Sequence, residues 1–439
     1  MRTILFLAVA AFACVKGNPV DLGDFRGTGG KLAIEGCGYD VETREGAEAP
    51  QLPLELVGPD PTPRLVHLGV IGDPKTSVVA VWRTADELTR LSTIRYAKGE
   101  NLSPTALTQS GIGIVFGYQA GGIDGSQHVF PIHQGHLCNL EPGTSYSYQV
   151  GSIDPFTRAE HFSPVYTFHT APDLVAHPDA EVVLGFVGDS RGGYDIWSEM
   201  ITQLKMRSPD LVLFSGDAVT LGLTETEWED FFGRAESLFA TTPIITAHGN
   251  HEANAINYYS QVALPGDQQN FGLDYGYAHI TVANDTPEDP NDLNGSFRDK
   301  LQADFAASAS ARWKLFMHHQ PMWSASTRHG SSQTLQQAWQ PLIDQYGIDL
   351  VLNGHDHDYE VSKPLVGPNV QTSGTAGTVY IVAGSAGAEL YDNGNDFWTA
   401  YSEKTYSAAT IDVRKDRMTF AGFRQDGTAI PTGFDKTKP

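Results

Sequence analysis

The chain has 439 residues, in which 29 lysines and arginines stand against 52 aspartates and glutamates, giving a formal net charge of −23. This balance excludes a protein built to wrap nucleic acid, because neutralising phosphates requires a basic face. At about 150 residues per domain the length suggests two or three domains. A hydrophobic fraction of 41%, a charged fraction of only 18% and 45 glycines favour a β-rich, loop-rich chain over a coiled coil or a disordered one.

The first residues have the pattern of a secretory signal. Met1-Arg2-Thr3 precede an apolar run that ends in Ala11-Phe12-Ala13. A transmembrane helix needs about 20 apolar residues, and neither this run nor any later one is long enough. We therefore predict a signal peptide over residues 1–13 and a secreted, periplasmic or cell-surface protein without a transmembrane segment. Cys14 directly follows and leaves a lipoprotein open as a second possibility.

The pattern after the signal is irregular and then becomes β-rich. Residues 14–60 are rich in glycine, proline and glutamate, and we expect a loosely structured lead-in there. Short apolar or alternating runs between turn residues follow at 66–70, 78–82, 94–96 and 146–150, which predict the strands of a β-sandwich. In an oxidising compartment Cys37 and Cys138 could form one disulfide between the lead-in and this domain. The sequence leaves two free buried thiols equally open.

The second half alternates between buried strands and helices. Continuous apolar runs at 182–187, 211–214 and 243–246 predict strands, and residues 194–207 and the segment around 228–239 predict the helices between them. This alternation indicates an α/β layout.

Polar residues of metal-binding type follow nearly every strand of this half. The five segments are Gly188-Asp189, Gly216-Asp217, Gly249-Asn250-His251-Glu252, His318-His319 and Asn353-Gly354-His355-Asp356-His357. Because open α/β sheets bind ligands beyond the carboxyl ends of their strands, we expect all five to meet in one crevice. A bridging carboxylate with imidazole and amide ligands suits Zn, Fe or Mn. Two such ions about 3.5–4 Å apart clamp a phosphoryl group and generate hydroxide near neutral pH.

This ordered set resembles the calcineurin-like metallophosphoesterases over about residues 182–426. Within them the chain resembles the purple acid phosphatases, since His319-Gln320-Pro321-Met322-Trp323-Ser324 and the following His329-Gly330 are similar to the H-x-P-x-W-S…H-G stretch of the mammalian-type members. Trp82 and the segments 140–148 and 166–170 resemble the fibronectin-like N-terminal domain of the plant-type members.

The resemblance implies a fold and a ligand set. The fold is an α+β multidomain one, with a fibronectin type III-like β-sandwich over residues 61–172 and a four-layer α/β/β/α metallophosphoesterase domain over 178–439. The implied ligands are Asp189, Asp217 and His357 for metal one, and Asp217, Asn250, His319 and His355 for metal two. His251 and His329 are implied to face the substrate as acid or phosphate contacts. Arg191 is a candidate for holding a phosphate oxygen, with a surface salt bridge as the alternative.

One position departs from the family pattern. The tyrosine expected three residues after the bridging aspartate is Thr220, and Arg191 stands where many related phosphoesterases have a histidine. Metal one is therefore one protein ligand short, which removes the basis for assigning Fe(III), a purple colour or an acid pH optimum. His248 could supply the missing ligand, although a core histidine is the alternative. His318 likewise competes with His319.

Together with the predicted signal peptide, the resemblance implies an exported hydrolase of small phosphomonoesters that works by attack of a metal-bound hydroxide, with a histidine assisting the leaving oxygen. One rival is a phosphodiesterase or nucleotidase on the same metal site. A second rival is a metal-depleted cell-surface binding protein, which only the missing ligand supports. Because the charge of −23 does not attract anions at long range, substrate capture relies on the local charge of the metals.

Overall fold

The computed structural model describes residues 30–43, 56–89, 91–121, 125–153, 157–372 and 377–439. The predicted signal peptide and Cys14 lie outside these residues. Part of the predicted lead-in is a hairpin of β1 (Gly30–Ile34) and β2 (Tyr39–Thr43). Cys37, in the turn of this hairpin, forms a disulfide with Cys138 at a Cα–Cα distance of 5.2 Å. The two cysteines are therefore not free thiols.

Two antiparallel sheets form the N-terminal β-sandwich. The first contains, in spatial order, β3 (Arg64–Gly69), β4 (Val78–Arg83), β8 (Gln127–Leu137) and β7 (Ile112–Gly121). The second contains β10 (Glu160–Phe162), β9 (Ser145–Ile153), β5 (Thr93–Lys98) and β6 (Gln109–Ser110), with β11 (Tyr166–His169) paired to β9. Leu68, Trp82, Ile94 and Tyr148 are buried in one core between the sheets.

Two larger sheets pack against each other in the second domain. The six-stranded sheet has the order β14 (Ile244–Thr246), β13 (Leu211–Phe214), β12 (Val182–Val187), β24 (Ser407–Val413), β25 (Arg417–Arg424) and β26 (Phe434–Thr437). The seven-stranded sheet has the order β15 (Phe271–Tyr275), β16 (Ala278–Val282), β17 (Trp313–Met317), β18 (Leu350–Asn353), β22 (Val379–Ala383), β19 (Tyr359–Ser362) and β23 (Thr399–Glu403). A short hairpin joins β20 (Leu365–Val366) to β21 (Asn369–Val370).

Helices cover the outer faces of both sheets. They are α1 (Tyr194–Lys205), α2 (Glu225–Phe239), α3 (Ile256–Gln261), α4 (Ser296–Ala307) and α5 (Gln333–Tyr346). The burial pattern of β17 shows the layering, because Leu315 and Met317 belong to the core between the sheets while Phe316 packs against Trp339 of α5. Strands covered on both faces need apolar side chains on both, which explains the continuous apolar runs of the sequence. The predicted fold class is therefore confirmed.

The described helices include none that is both long and apolar enough to cross a bilayer.

Candidate metal centre

Five strand ends bring the predicted ligands to one edge of the paired sheets. Strands β12, β13 and β14 run parallel in one sheet, and β17 and β18 run parallel in the other. The segments after them carry Asp189, Asp217, Asn250 with His251, His319, and His355 with His357. The crevice predicted from the carboxyl ends of the strands is therefore present.

The side chains of this crevice form two groups that could each hold a metal ion. Group one is Asp189, Asp217 and His357, and group two is Asp217, His319 and His355; within each group the ligand atoms lie within 4.8 Å of one another. Asn250 joins group two, since its Oδ1 lies 3.1 Å from His319 Nε2. Asp217 is common to both groups, which is the arrangement that a carboxylate bridging two ions requires.

The backbone at the crevice is held in unfavourable conformations. Asp189, Asp217 and His355 have φ angles of 54°, 58° and 69°. A non-glycine residue in this left-handed region costs about 1–3 kcal/mol and is typical of functional sites. The flanking glycines allow close approach, because a Cβ at Gly249 would collide with the Asp217 carboxylate and one at Gly354 with the Asp189 carboxylate.

Hydrogen bonds orient the histidines of both groups. His319 Nδ1 donates to the Ser215 carbonyl oxygen at 2.8 Å, and His357 Nδ1 donates to the Glu389 carbonyl oxygen at 2.7 Å. Each bond fixes the tautomer in which Nε2 is the free ligand atom. Partners of this kind are regularly found behind the histidine ligands of metal ions.

Glu252 is a positioning residue to which the sequence analysis assigns no role. Its carboxylate accepts the backbone N–H groups of Asp217 at 3.0 Å, Ala218 at 2.8 Å and Gly249 at 2.7 Å. It therefore ties the loop after β13 to the loop after β14. Burial, followed by the negative charge of Asp217, raises the pKa of Glu252 to about 7. Its place as the last residue of Gly249-Asn250-His251-Glu252 is the signal that could have identified it.

Burial and mutual proximity shift the pKa values of several groups in the crevice. Burial raises the pKa of Asp189. Burial would also raise the pKa of Asp217, but the positive charge of His319 holds it below its usual range. His355 is forced to stay neutral, because burial and then the charge of His319 lower its pKa to about 2. Asp217 Oδ2 is buried without a hydrogen bond. Buried carboxylates beside imidazoles, with one carboxylate oxygen that accepts no hydrogen bond, are a donor set that fits a bound cation.

The two predicted catalytic histidines lie beside the groups. His251 Nδ1 donates to the Thr220 carbonyl oxygen at 2.6 Å, and His251 Nε2 lies 3.8 Å from Asp217 Oδ2. The ring of His329 lies 4.3 Å from the ring of His355. Thr220 itself is exposed.

Tyr391 is a further residue of the crevice that no motif indicates. Its ring stacks on His357 at 4.1 Å and meets the ring of His329 at 5.6 Å. The residue belongs to the loop between β22 and β23, far from the ligand segments in sequence. Only the folded chain shows that it belongs here.

The two histidines that the sequence left open as alternative metal ligands are core residues. His318 Nδ1 lies 2.9 Å from Asp285 Oδ2, and the His318 ring packs against Trp339. His248 Nδ1 lies 2.9 Å from Thr286 Oγ1 in a buried position. Neither histidine belongs to group one or group two. The geometry therefore favours His319 over His318 and gives His248 no place as the missing ligand.

Comparisons with known proteins agree with this geometry. The model of the calcineurin-like phosphoesterase family matches residues 182–359, and that of the purple acid phosphatase N-terminal domain matches residues 63–170. Phosphoenolpyruvate phosphatase of Allium cepa is 25% identical over 68% of this chain and 68% of its own length. Acid phosphatase type 7 of Homo sapiens is 28% identical over 76% of this chain and 80% of its own.

A solved structure shows the same fold. The purple acid phosphatase PPD1 from yellow lupin (Lupinus luteus) seeds superposes with a TM-score of 0.75 at 16% identity, over 86% of this chain and 74% of that one. Both family models match in the order that the resemblance implied. The chain thus carries a purple acid phosphatase-type N-terminal domain followed by a calcineurin-like phosphoesterase domain, and it is a metal-dependent phosphoric ester hydrolase.

Proposed function

We propose that this protein is an exported phosphatase that hydrolyses small phosphomonoesters at a dinuclear metal centre. One observation carries the proposal: Asp217 is common to two groups of ligand atoms at the carboxyl edge of the sheets, all of them from buried residues except the half-buried His355. The names of the relatives, phosphoenolpyruvate phosphatase and acid phosphatase type 7, support a small phosphorylated substrate.

The residues that would hold the ions are Asp189, Asp217 and His357 in group one and Asp217, Asn250, His319 and His355 in group two. Ions bound there, from among Fe, Zn and Mn, would neutralise phosphate charge and provide the nucleophile for an in-line displacement. The protein contributes rigid placement, because the ligands follow buried strands and hydrogen bonds fix their rings.

His251 is the proposed proton donor to the leaving oxygen. Because its Nδ1 is committed to the Thr220 carbonyl, only Nε2 can act on a substrate, and Nε2 points to the side of Asp217. His329 is the proposed phosphate contact at the rim. Burial lowers the pKa of His329, so its ring is neutral at pH 7 and one ring N–H is available to a phosphate oxygen.

The test compares 4-nitrophenyl phosphate with bis(4-nitrophenyl) phosphate as substrates of the full chain. Protein stripped by a chelator and protein reloaded with Zn, Mn or Fe are measured side by side. We expect metal-dependent turnover with a monoester preference of roughly 10-fold or more, about 1.4 kcal/mol of transition-state discrimination. A diester preference would instead establish the phosphodiesterase, and loaded protein without turnover would establish the binding protein.

Export has a separate basis, the sequence pattern of residues 1–13. Mass spectrometry of the mature N-terminus decides it. A chain that retains Met1 would contradict export, and a lipid on Cys14 would identify a lipoprotein.

A further inference from the structure

A guanidinium group lies inside group one. Arg191 Nε is 3.4 Å from Asp217 Oδ2, and its terminal Nη2 is 3.3 Å from His357 Nε2. These are two of the three ligands of group one, and His357 Nε2 is the ring atom that its hydrogen bond to Glu389 leaves free. The side chain is only 19% exposed, so this is neither a surface salt bridge nor a group waiting in solvent.

The position of Arg191 is built into the fold. Arg191 follows Asp189 by two positions, and the backbone N–H of Arg191 donates to the Asp217 carbonyl oxygen at 3.3 Å. The loop after β12 is thereby fixed to the loop after β13, so the side chain starts beside the bridging carboxylate. Tyr391 stacks on the ring of His357, the same ring that the guanidinium contacts at Nε2.

Arg191 brings a permanent positive charge into group one. A guanidinium stays protonated in proteins, whereas a histidine at this position could lose its proton and become a ligand. A second cation in group one would lie within a few ångströms of a fixed positive charge, in a site with little solvent to screen it. Group two meets Arg191 only at the shared Asp217, where the guanidinium faces Oδ2 while His319 faces Oδ1. It also has one more protein ligand than group one, because Asn250 joins Asp217, His319 and His355.

We propose that Arg191 is the resident cation of group one, so that the resting protein retains one metal ion, in group two, and accepts a second only by displacing the guanidinium. The inference rests on the proposed function, because it concerns the order in which the same two groups fill. It also gives a physical meaning to the arginine that stands where many related phosphoesterases have a histidine: this position carries a positive charge instead of a metal ligand.

The experiment counts metal ions per chain by elemental analysis after loading with Mn(II) and dialysis. It compares the wild type with Arg191→Gln, which keeps the length and polarity of the side chain but removes its charge. Arg328→Gln is the matched control, because Arg328 is exposed at the same rim, with its guanidinium carbon 5.8 Å from the Tyr391 ring centroid. Electron paramagnetic resonance separates an isolated Mn(II) ion from a spin-coupled pair without relying on activity.

We expect one ion and an uncoupled signal in the wild type and in Arg328→Gln. We expect two ions, a coupled signal and a dissociation constant for the second ion that is lower by roughly 10-fold or more in Arg191→Gln. Two equally tight ions in the wild type, or one ion in Arg191→Gln, would overturn the inference and leave the proposed phosphatase standing. No retained ion in any of the three proteins would overturn the metal centre itself, and the inference with it.

Discussion

Arg83 of β4 reaches across the domain contact to Glu225 and Glu229 of α2, whereas Asp217 in the crevice faces a second carboxylate, Asp189, in the same buried group. Both regions bury charge almost completely. At the domain contact the acidic side chains have an arginine between them, and the Arg83 guanidinium also lies 3.4 Å from the Phe130 ring centroid. In the crevice the carboxylates and imidazoles crowd one another in two ligand groups, and the one nearby guanidinium described there, that of Arg191, is shared between a carboxylate and an imidazole.

The difference separates charge that serves the fold from charge that serves a ligand. An opposite partner offsets the desolvation cost of a buried ion, and removing that partner is strongly destabilising. Clustered groups with displaced pKa values and incomplete pairing instead indicate a functional site. Substitutions at the crevice should therefore abolish activity and preserve stability, and substitutions at the domain contact should do the reverse.

The largest effect is expected for Asp217→Asn, because Asp217 is the candidate ligand that the two groups share. The amide keeps the shape of the side chain but cannot bridge two cations as a carboxylate does. We expect loss of at least one ion and a fall in turnover on the order of 10³-fold or more. Elemental analysis, phosphatase assays and urea unfolding on the same preparation check it. Retained metal with wild-type turnover would remove Asp217 from the site.

The next effect concerns the two histidines that are proposed to contact substrate. His251→Ala and His329→Ala should each lower turnover by about 10²–10⁴-fold, which is the usual contribution of a positioned proton donor. Metal content should not change, because neither histidine belongs to a ligand group. If His329→Ala has no effect while His251→Ala does, the rim position of His329 is structural.

The convergence of most of the candidate ligands could be predicted from the sequence, because the rule that governs it is local. A polar residue directly after a buried strand lies at the sheet edge, and the edges of parallel strands coincide. That rule places Asp189, Asp217 and His319 without knowledge of the strand order. It says nothing of Tyr391, which reaches the crevice from a loop, or of where the Arg191 side chain points, because both depend on packing between distant segments.

The apolar pattern of the sequence did not predict the strands in which polar residues are buried. The long β7–β8 hairpin has no counterpart among the predicted strands, since its sequence contains histidines and glycines that mimic a loop. His133 and His136 are fully buried all the same. His133 stacks on Trp82 at 5.3 Å, and Tyr39 lies within 2.9 Å of His136 Nδ1. Partners of this kind come from other strands and cannot be inferred from local periodicity.

At the domain contact, Arg83→Met is expected to lower the free energy of unfolding by about 3–5 kcal/mol, because it removes the buried cation that pairs with Glu225 and Glu229, although Glu229 keeps Arg64 at 2.9 Å. Turnover per folded molecule and metal content should stay at wild-type values. Arg417→Met is the control, because Arg417 and its partner Asp435 are about half exposed and such pairs contribute only about 0–1 kcal/mol. Urea unfolding measures both variants. Equal stability losses in the two would contradict the role assigned to the contact.

The smallest effect is expected at a third cluster of charged residues. There His279 lies between Asp274 at 2.7 Å and Asp304 at 3.1 Å. Burial alone would lower the pKa of His279, but the two carboxylates raise it to about 9. Since the ordinary pKa of histidine is about 6.5, the folded state binds the proton more tightly than the unfolded state does. The resulting stability is complete below about pH 6.5 and is lost as the pH rises through about 9, a change of roughly 2 kcal/mol after allowance for the exposure of Asp274.

His279→Gln should remove this pH dependence, so the stability difference between wild type and variant should shrink between pH 6 and pH 9.5. His169→Gln on β11 is the control, because His169 is exposed and its Nδ1 lies 3.0 Å from the hydroxyl of Ser145. Urea unfolding at four pH values measures all three proteins. A difference that stays constant with pH would mean that the two carboxylates do not hold the proton on His279. The charges of this cluster would then neither stabilise the fold, as those of the domain contact do, nor form a ligand group, as those of the crevice do.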